Sequence, residues 1–249
     1  MKIIVIIPAR MGSSRFPGKP LAPILGRPMI EHVYKRTAMS PALDGVYVAT
    51  CDDEIMTASQ AFGGQGIMTF DTHERASDRT AEAVAELDAD VVVMVQGDEP
   101  MLHPDMIGEA VAPYETEPDI PCINLTKRIK TEADFLNPGT IKVVADLNGD
   151  ALYMSRQPIP SSPGGSFSAI TAKKQVCIIP FRRDALLKFA ALEPTPLEIA
   201  ESVDMMRFLE HDVPVRMVDT KFDTQAVDTP EDLARVEALM RDDPLTETY

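Results

Sequence analysis

The chain has 249 residues, 24 Lys plus Arg against 39 Asp plus Glu, a formal net charge of −15 and a hydrophobic share of 45%. A chain of this length buries about 70–75% of its extended surface as one α/β domain without a disulfide or metal staple, and its hydrophobic share excludes a disordered polypeptide. The acidic balance repels nucleic acid and anionic bilayers, so a general nucleic-acid or membrane-surface binder is excluded, while a phosphorylated small ligand held by local cations is not. Cys51, Cys122 and Cys177 are far apart and lack CxxC spacing, which indicates neither a disulfide framework nor a zinc knuckle. No apolar run reaches the roughly 18–20 residues of a membrane span. The opening MKIIVIIPAR reads as a buried strand, not a signal peptide. The expected location is the cytoplasm, without membrane insertion.

In chain order, Ile3 to Ile7 reads as a strand closed by Pro8 and a glycine-containing loop over 10–19. Met29 to Met39 has one apolar helical face, VYVAT (46–50) is a second strand, 54–62 a helix, 67–69 a short strand and 77–87 a helix. VVVMV (91–95) is the most hydrophobic run and the expected central parallel strand. Strands separated by helices of about 10–12 residues predict a parallel sheet with helices on both faces. The second half is less regular. Strands are expected at 123–129, 141–146, 151–156, 175–179 and 213–218, with the turn Asn148-Gly149 joining two of them in a hairpin. Helices are expected at 132–136, 183–190, 199–210 and 230–240, the last capped by Asp228 or Thr229, and 158–166 reads as a loop. Late, mixed strands predict a smaller antiparallel lobe beside the parallel core.

Ligands of open α/β sheets lie beyond the carboxyl ends of the strands. Four segments converge there: PARMGSSRFPGKP (8–20), ATCDD (49–53), QGDEP (96–100) and VDTPED (227–232). The first carries Arg10, Arg15 and Lys19 among small residues, which suits a polyphosphate cradled by backbone N–H groups and offset by cations. It is neither a Walker A loop nor GxGxxG; read alone, it is also an ordinary solvated loop. Asp98, at the end of the hydrophobic strand, has the chemistry to hold Mg²⁺, and Asp228 is a partner carboxylate, although VDTPED is equally a plain helix cap. Asp78, Arg79 and Arg156 are either ligand contacts or structural ion pairs. The histidines at 32, 73, 103 and 211 show no metal spacing and no obvious acid partner, and nothing resembles GxSxG.

Together, 8–34, 46–55, 77–83, 95–100, 137–160, 194–202 and 227–233 resemble the 3-deoxy-manno-octulosonate (Kdo) cytidylyltransferase family over nearly the whole chain. The resemblance implies a single nucleotidyltransferase domain, with 1–120 and 213–249 forming mainly the CTP- and metal-binding core and 121–212 mainly a sugar-binding and dimerisation lobe. It implies a doubly wound, mostly parallel sheet and transfer of CMP from CTP to a 2-keto-3-deoxy sugar acid, with Mg²⁺ as cofactor and a homodimer as the assembly. By matching position, Arg10, Arg15 and Lys19 are triphosphate cations, Ala9, Thr50 and Asp52 line the nucleotide pocket, and Asp78, Arg79 and Gln96 contact nucleotide or substrate. Asp98 and Asp228 match the magnesium carboxylates.

The sugar side departs from the family pattern. H-x-G-x-Y-x-Y/F-R stands as QVCIIPFR (175–182), so Gln175 replaces histidine, Cys177 glycine and Ile179 tyrosine; L-E-Q-L-R stands as VDMMR (203–207), with Asp204 for glutamate and Met205 for glutamine. Arg156, Glu201 and Arg207 remain as acid-sugar contacts beside Gln175 and Asp204. A site that satisfies particular hydroxyls discriminates by them, so the acceptor is Kdo or a related acid. The other readings are a different hydroxylated acid, a nucleotidyltransferase reading another base, and a non-catalytic nucleotide- or sugar-binding homologue.

Overall fold

A computed structural model describes residues 1–12 and 16–249. The first half runs β1 (Ile3–Pro8), a two-residue hairpin of β2 (Pro23–Ile24) and β3 (Arg27–Pro28), α1 (Met29–Ala38), β4 (Gly45–Thr50), α2 (Asp53–Ala61), β5 (Gln65–Met68), α3 (Ala76–Val84), β6 (Val91–Val95) and α4 (Asp105–Val111). There follow β7 (Cys122–Arg128), α5 (Glu132–Leu136), β8 (Lys142–Ala145), β9 (Ala151–Ser155), β10 (Lys173–Val176), β11 (Ile178–Arg182), α6 (Arg183–Ala190), α7 (Pro196–Glu201), α8 (Met206–Glu210), β12 (Val215–Asp219) and α9 (Pro230–Arg241). The chain divides into two compact units, 1–108 with 224–249 and 109–223. Residues 109–120 and 213–223, assigned by resemblance to the nucleotide-binding part, thus belong to the second unit.

In the first unit the strands lie in the order β5-β4-β1-β6, every pairing parallel. The fold class is α/β, as expected. β1 and β6 are buried along their whole length, which is why they read as unbroken apolar runs rather than alternating ones. The chain moves outward from β1 to β4 to β5, then returns to β1's other edge with β6. That reversal puts the topological switch point at the carboxyl ends of β1 and β6, the place where open α/β sheets bind ligands. Gly97 follows β6 because a side chain there would meet Pro8 O at 3.1 Å and Ile30 Cδ1 at 3.3 Å.

In the second unit β7 is central. β10 and β11 pair antiparallel with it, β12 pairs parallel with it, and β8 and β9 continue outward from β10. The expected hairpin is present, its turn closed by the Asp146 carboxylate accepting from Asn148 N at 2.8 Å and Asp150 N at 2.9 Å. Two expectations are corrected. The single strand at 175–179 is two strands broken at Cys177: Val176 lies opposite Leu125 and Phe181 opposite Cys122, so five residues span what three span on β7. The single helix at 199–210 is α7 and α8, separated where Ser202 takes φ 52°, a left-handed helix stop. No helix among the described residues is long and apolar enough to cross a membrane.

The first unit's last segment is fastened to α1. Arg36, 1% exposed, pairs with Asp243 at 2.6 Å and donates from Nε to the Tyr249 hydroxyl at 3.0 Å. That hydroxyl lies 2.8 Å from His32 Nδ1, while His32 Nε2 lies 2.8 Å from Ile24 O. The carbonyl can only accept, so Nε2 carries the proton and Nδ1 accepts from Tyr249. Burial, followed by the Arg36 and Arg27 charges, outweighs the Ile24 bond and holds His32 below its ordinary pKa of 6.5. The unfolded chain therefore takes up the proton first. The network's contribution is complete above about pH 6.5 and shrinks as pH falls toward the depressed native value. Tyr249→Phe is expected to lose about 1–3 kcal/mol in urea unfolding at neutral pH, and the wild-type advantage should narrow in the same measurement at pH 5.

Candidate active site

The loop after β1 is closed on itself. Gly18, at φ 74°, donates its N–H to Met11 O at 3.1 Å and leads into a 3-10 turn over Lys19–Leu21. Only glycine adopts that backbone without strain. The loop's entry is tied to β4, since Met11 N donates to Asp52 Oδ2 at 2.7 Å. Asp52, at the head of α2, thus anchors the entry to the loop after β1. Ala9 continues the sheet by donating to Ala49 O at 2.9 Å, and buried Thr50 accepts Asp52 N on its hydroxyl at 3.1 Å. Arg15 lies outside the described residues.

Lys19 occupies the centre of the cluster. Its ammonium is 2.7 Å from Asp98 Oδ2 and 3.6 Å from Asp228 Oδ1, and it donates to Val227 O at 2.9 Å. The three side chains are only 14%, 19% and 28% exposed, so their charges act more strongly on one another than surface ions would. α9 holds Asp228 in place: Thr229 and Asp232 form a capping box, and Asp232 Oδ2 accepts from Asp228 N at 3.1 Å and Thr229 N at 3.0 Å. Thr229, not Asp228, is the cap, and this leaves the Asp228 carboxylate directed at Lys19.

The donors around Lys19 suit a magnesium ion. They are oxygens, two of them anionic, and a cation already sits between them. Asp98 and Asp228 would be the residues to hold the magnesium, since Mg²⁺ is commonly bound through one or two carboxylates together with phosphate oxygens and water.

Of the other expected site residues in this unit, Gln96 follows β6 with its carbonyl accepting Glu99 N at 3.2 Å. Exposed Arg10 reaches His73 O at 3.4 Å. Asp78 lies half-buried on α3. Arg79, 2% exposed, donates Nη1 to the Thr69 hydroxyl and to Phe70 O at 3.3 Å, while its buried Nη2 has no hydrogen-bond partner. It thereby holds the segment after β5 through the Thr69 hydroxyl and the Phe70 carbonyl. His73 does have an acid partner, Glu82, nine residues away on α3; that pairing escaped the sequence reading because it depends on how the loop folds back.

The second unit answers for the acceptor residues. Gln175 donates Nε2 to Asn124 Oδ1 at 2.6 Å, and fully buried Asn124 donates onward to Leu125 O and Val176 O at 2.8 Å each. This fixes the amide's orientation and leaves Gln175 Oε1 as an acceptor. Glu201 accepts from Tyr153 OH at 3.1 Å, Ser155 Oγ at 2.8 Å and Arg156 N at 2.9 Å. Burial alone would raise its pKa, but these bonds and the Arg156 charge together hold it below the usual value. Asp204 is half-buried, with its carbonyl accepting Arg207 N at 3.1 Å.

The two arginines expected as acid-sugar contacts have partners within the protein. Arg156 spends its guanidinium on carbonyls, donating to Glu201 O at 2.8 Å, Pro138 O at 3.0 Å and Ser202 O at 3.0 Å, and so satisfies the open carbonyl end of α7. Arg207 is 1% exposed, forms a double bond-pair with buried Glu198 at 2.7 Å on each arm and stacks 4.3 Å over Phe189. It is a core element, out of a ligand's reach. Asn124 and Lys142 were not anticipated. Buried Lys142 donates to Asn137 O, Thr140 O and Arg156 O, a role that a strand-like sequence pattern does not reveal.

The comparisons with known proteins place this geometry. The cytidylyltransferase family model matches residues 4–220, which sets the class. A 3-deoxy-manno-octulosonate cytidylyltransferase of Geobacter metallireducens is 47% identical over 245 residues, covering 95% of this chain and 96% of that one. One from Geotalea uraniireducens is 45% identical, covering 95% and 98%. A solved structure of CMP:2-keto-3-deoxy-manno-octonic acid synthetase complexed with CTP superposes with a TM-score of 0.89 at 39% identity, covering 97% of this chain and 99% of that one. The chain belongs to the 3-deoxy-manno-octulosonate cytidylyltransferase family.

Removing either partner of the Arg207–Glu198 pair leaves a buried charge. Arg207→Met is expected to lower stability by about 3–5 kcal/mol in chemical unfolding and to leave the acceptor KM of the folded fraction unchanged; a raised KM with intact stability would restore a contact role.

Proposed function

We propose that the protein transfers CMP from CTP to the anomeric hydroxyl of 3-deoxy-manno-octulosonate, releasing pyrophosphate. The observation that carries this reading is the Lys19–Asp98–Asp228 cluster at the carboxyl ends of β1 and β6, in a chain matched to CMP-Kdo-forming relatives over 95% or more of its length. In the reaction, the sugar oxygen attacks the α-phosphorus in line. The new O–P bond forms as the bond from the α-phosphorus to the bridging oxygen of pyrophosphate breaks.

The protein's task is to position the reactants and neutralise charge. Lys19 and Arg10 face the triphosphate, with Arg15 completing the cations of that loop. Gly18 and the Met11–Asp52 bond keep the loop's backbone in one shape. Asp98 and Asp228 would hold Mg²⁺, which when bound supplies Lewis-acid neutralisation of phosphate oxygens and acidifies a hydroxyl near it. Among the described residues no histidine stands at this cluster: His32 and His73 are engaged elsewhere. On the acceptor side, Gln175 Oε1 accepts a sugar hydroxyl, with Glu201 and Asp204 as the neighbouring acids. The family resemblance supports a cytoplasmic homodimer, and light scattering in solution should return twice the chain mass.

The test is pyrophosphate release from CTP with Mg²⁺ and Kdo. Turnover is expected with Kdo, and Asp98→Asn or Lys19→Met should lower kcat by about 10²–10³-fold. CTP binding without release on any sugar acid, or an Asp98→Asn variant as fast as the wild type, would overturn it.

A further inference from the structure

Glu99 follows Asp98 directly, and nothing in the mechanism uses it. It is 4% exposed, and a glutamate is so deeply buried only when its carboxylate is bonded. That carboxylate accepts the hydroxyl of Thr224, four residues before Asp228. Residues 220–229 contain no helix or strand, so side-chain and backbone contacts alone decide where the Asp228 carboxylate points. Upstream of Asp228, Glu99 holds Thr224, Asp98 O accepts Val227 N at 2.9 Å and Lys19 donates to Val227 O at 2.9 Å. The Val227 side chain is fully buried against Ile24, Met29, Val236 and Met240. Downstream, the capping box holds Thr229.

We infer that Glu99 is a positioning residue for Asp228: by fixing Thr224 it sets the upstream end of the segment that carries the second carboxylate, as the capping box sets the downstream end. One dipeptide, Asp98-Glu99, thereby supplies one carboxylate of the cluster and the anchor for the other. The inference rests on the reading of Asp98 and Asp228 as a divalent-cation site.

The test uses Mn²⁺ binding to the full chain in the presence of CTP, read by electron paramagnetic resonance, beside steady-state kinetics. Thr224→Val removes the hydroxyl at nearly constant shape and leaves the Glu99 side chain in the sequence. It should weaken Mn²⁺ binding and lower kcat by about tenfold each, as loss of an outer support does, while the KM for CTP stays within about twofold. Thr224→Ser, which keeps the hydroxyl, should restore both. In a Glu99→Ala background, Thr224→Val should add nothing, because the two act as one unit. The inference is overturned if Thr224→Val binds Mn²⁺ like the wild type, if Thr224→Ser is as impaired as Thr224→Val, or if the Thr224→Val effect adds in full to Glu99→Ala. A wild-type chain that holds no Mn²⁺ overturns the metal reading and the inference together, and does so before any variant is compared.

Discussion

The ammonium of Lys19 between Asp98 and Asp228 ties together three parts of the chain that are 79 and 130 residues apart. Two carboxylates brought into one partly buried space repel each other, and the arrangement is stable only because a cation lies between them at 2.7 Å and 3.6 Å. That requirement explains much of the first unit. The loop after β1 must end in a tight turn at Gly18 so that Lys19 can reach inward. β6 must be followed by a glycine so that Asp98 can approach β1. The last segment must come back across the unit so that α9 can deliver Asp228. The cluster thus joins the loop after β1, the end of β6 and the entry to α9 through one cation and two carboxylates.

The second unit uses polar groups differently. Its cations serve the backbone: buried Lys142 and Arg207 and half-buried Arg156 each donate to two or more carbonyls. Such bonds offset much of the cost of taking a cation out of water. Gln175 is different, since the Asn124 contact fixes its amide and leaves its carbonyl oxygen available. The departures from the family pattern at Gln175, Cys177 and Ile179 fall where β10 breaks into β11.

Much of the first unit was legible in the sequence because its information is local. Buried parallel strands announce themselves as β-branched runs, and the residues after them, Arg10 to Lys19 and Gly97 to Asp98, are read by their place in the order. What was not legible depends on distant partners. The break at Cys177 follows from pairing with β7, fifty residues earlier in the chain. The helix stop at Ser202 occurs at a residue that is rarely left-handed and whose carbonyl then accepts from the Arg156 guanidinium. Arg207 resembled a ligand contact because its type and position matched a motif, and only Glu198 and Phe189 around it show that its guanidinium is consumed. Glu99 looked like the tail of a motif; its partner Thr224 lies 125 residues away.

The most direct test of the charge cluster is a crystal structure with CTP and Mn²⁺, the metal located by anomalous scattering. The account predicts a manganese peak at inner-sphere distance, about 2.1–2.2 Å, from oxygens of both Asp98 and Asp228, with the Lys19 ammonium moved onto a phosphate oxygen. A Lys19 still seated between the two carboxylates, with the metal bound elsewhere, would contradict it.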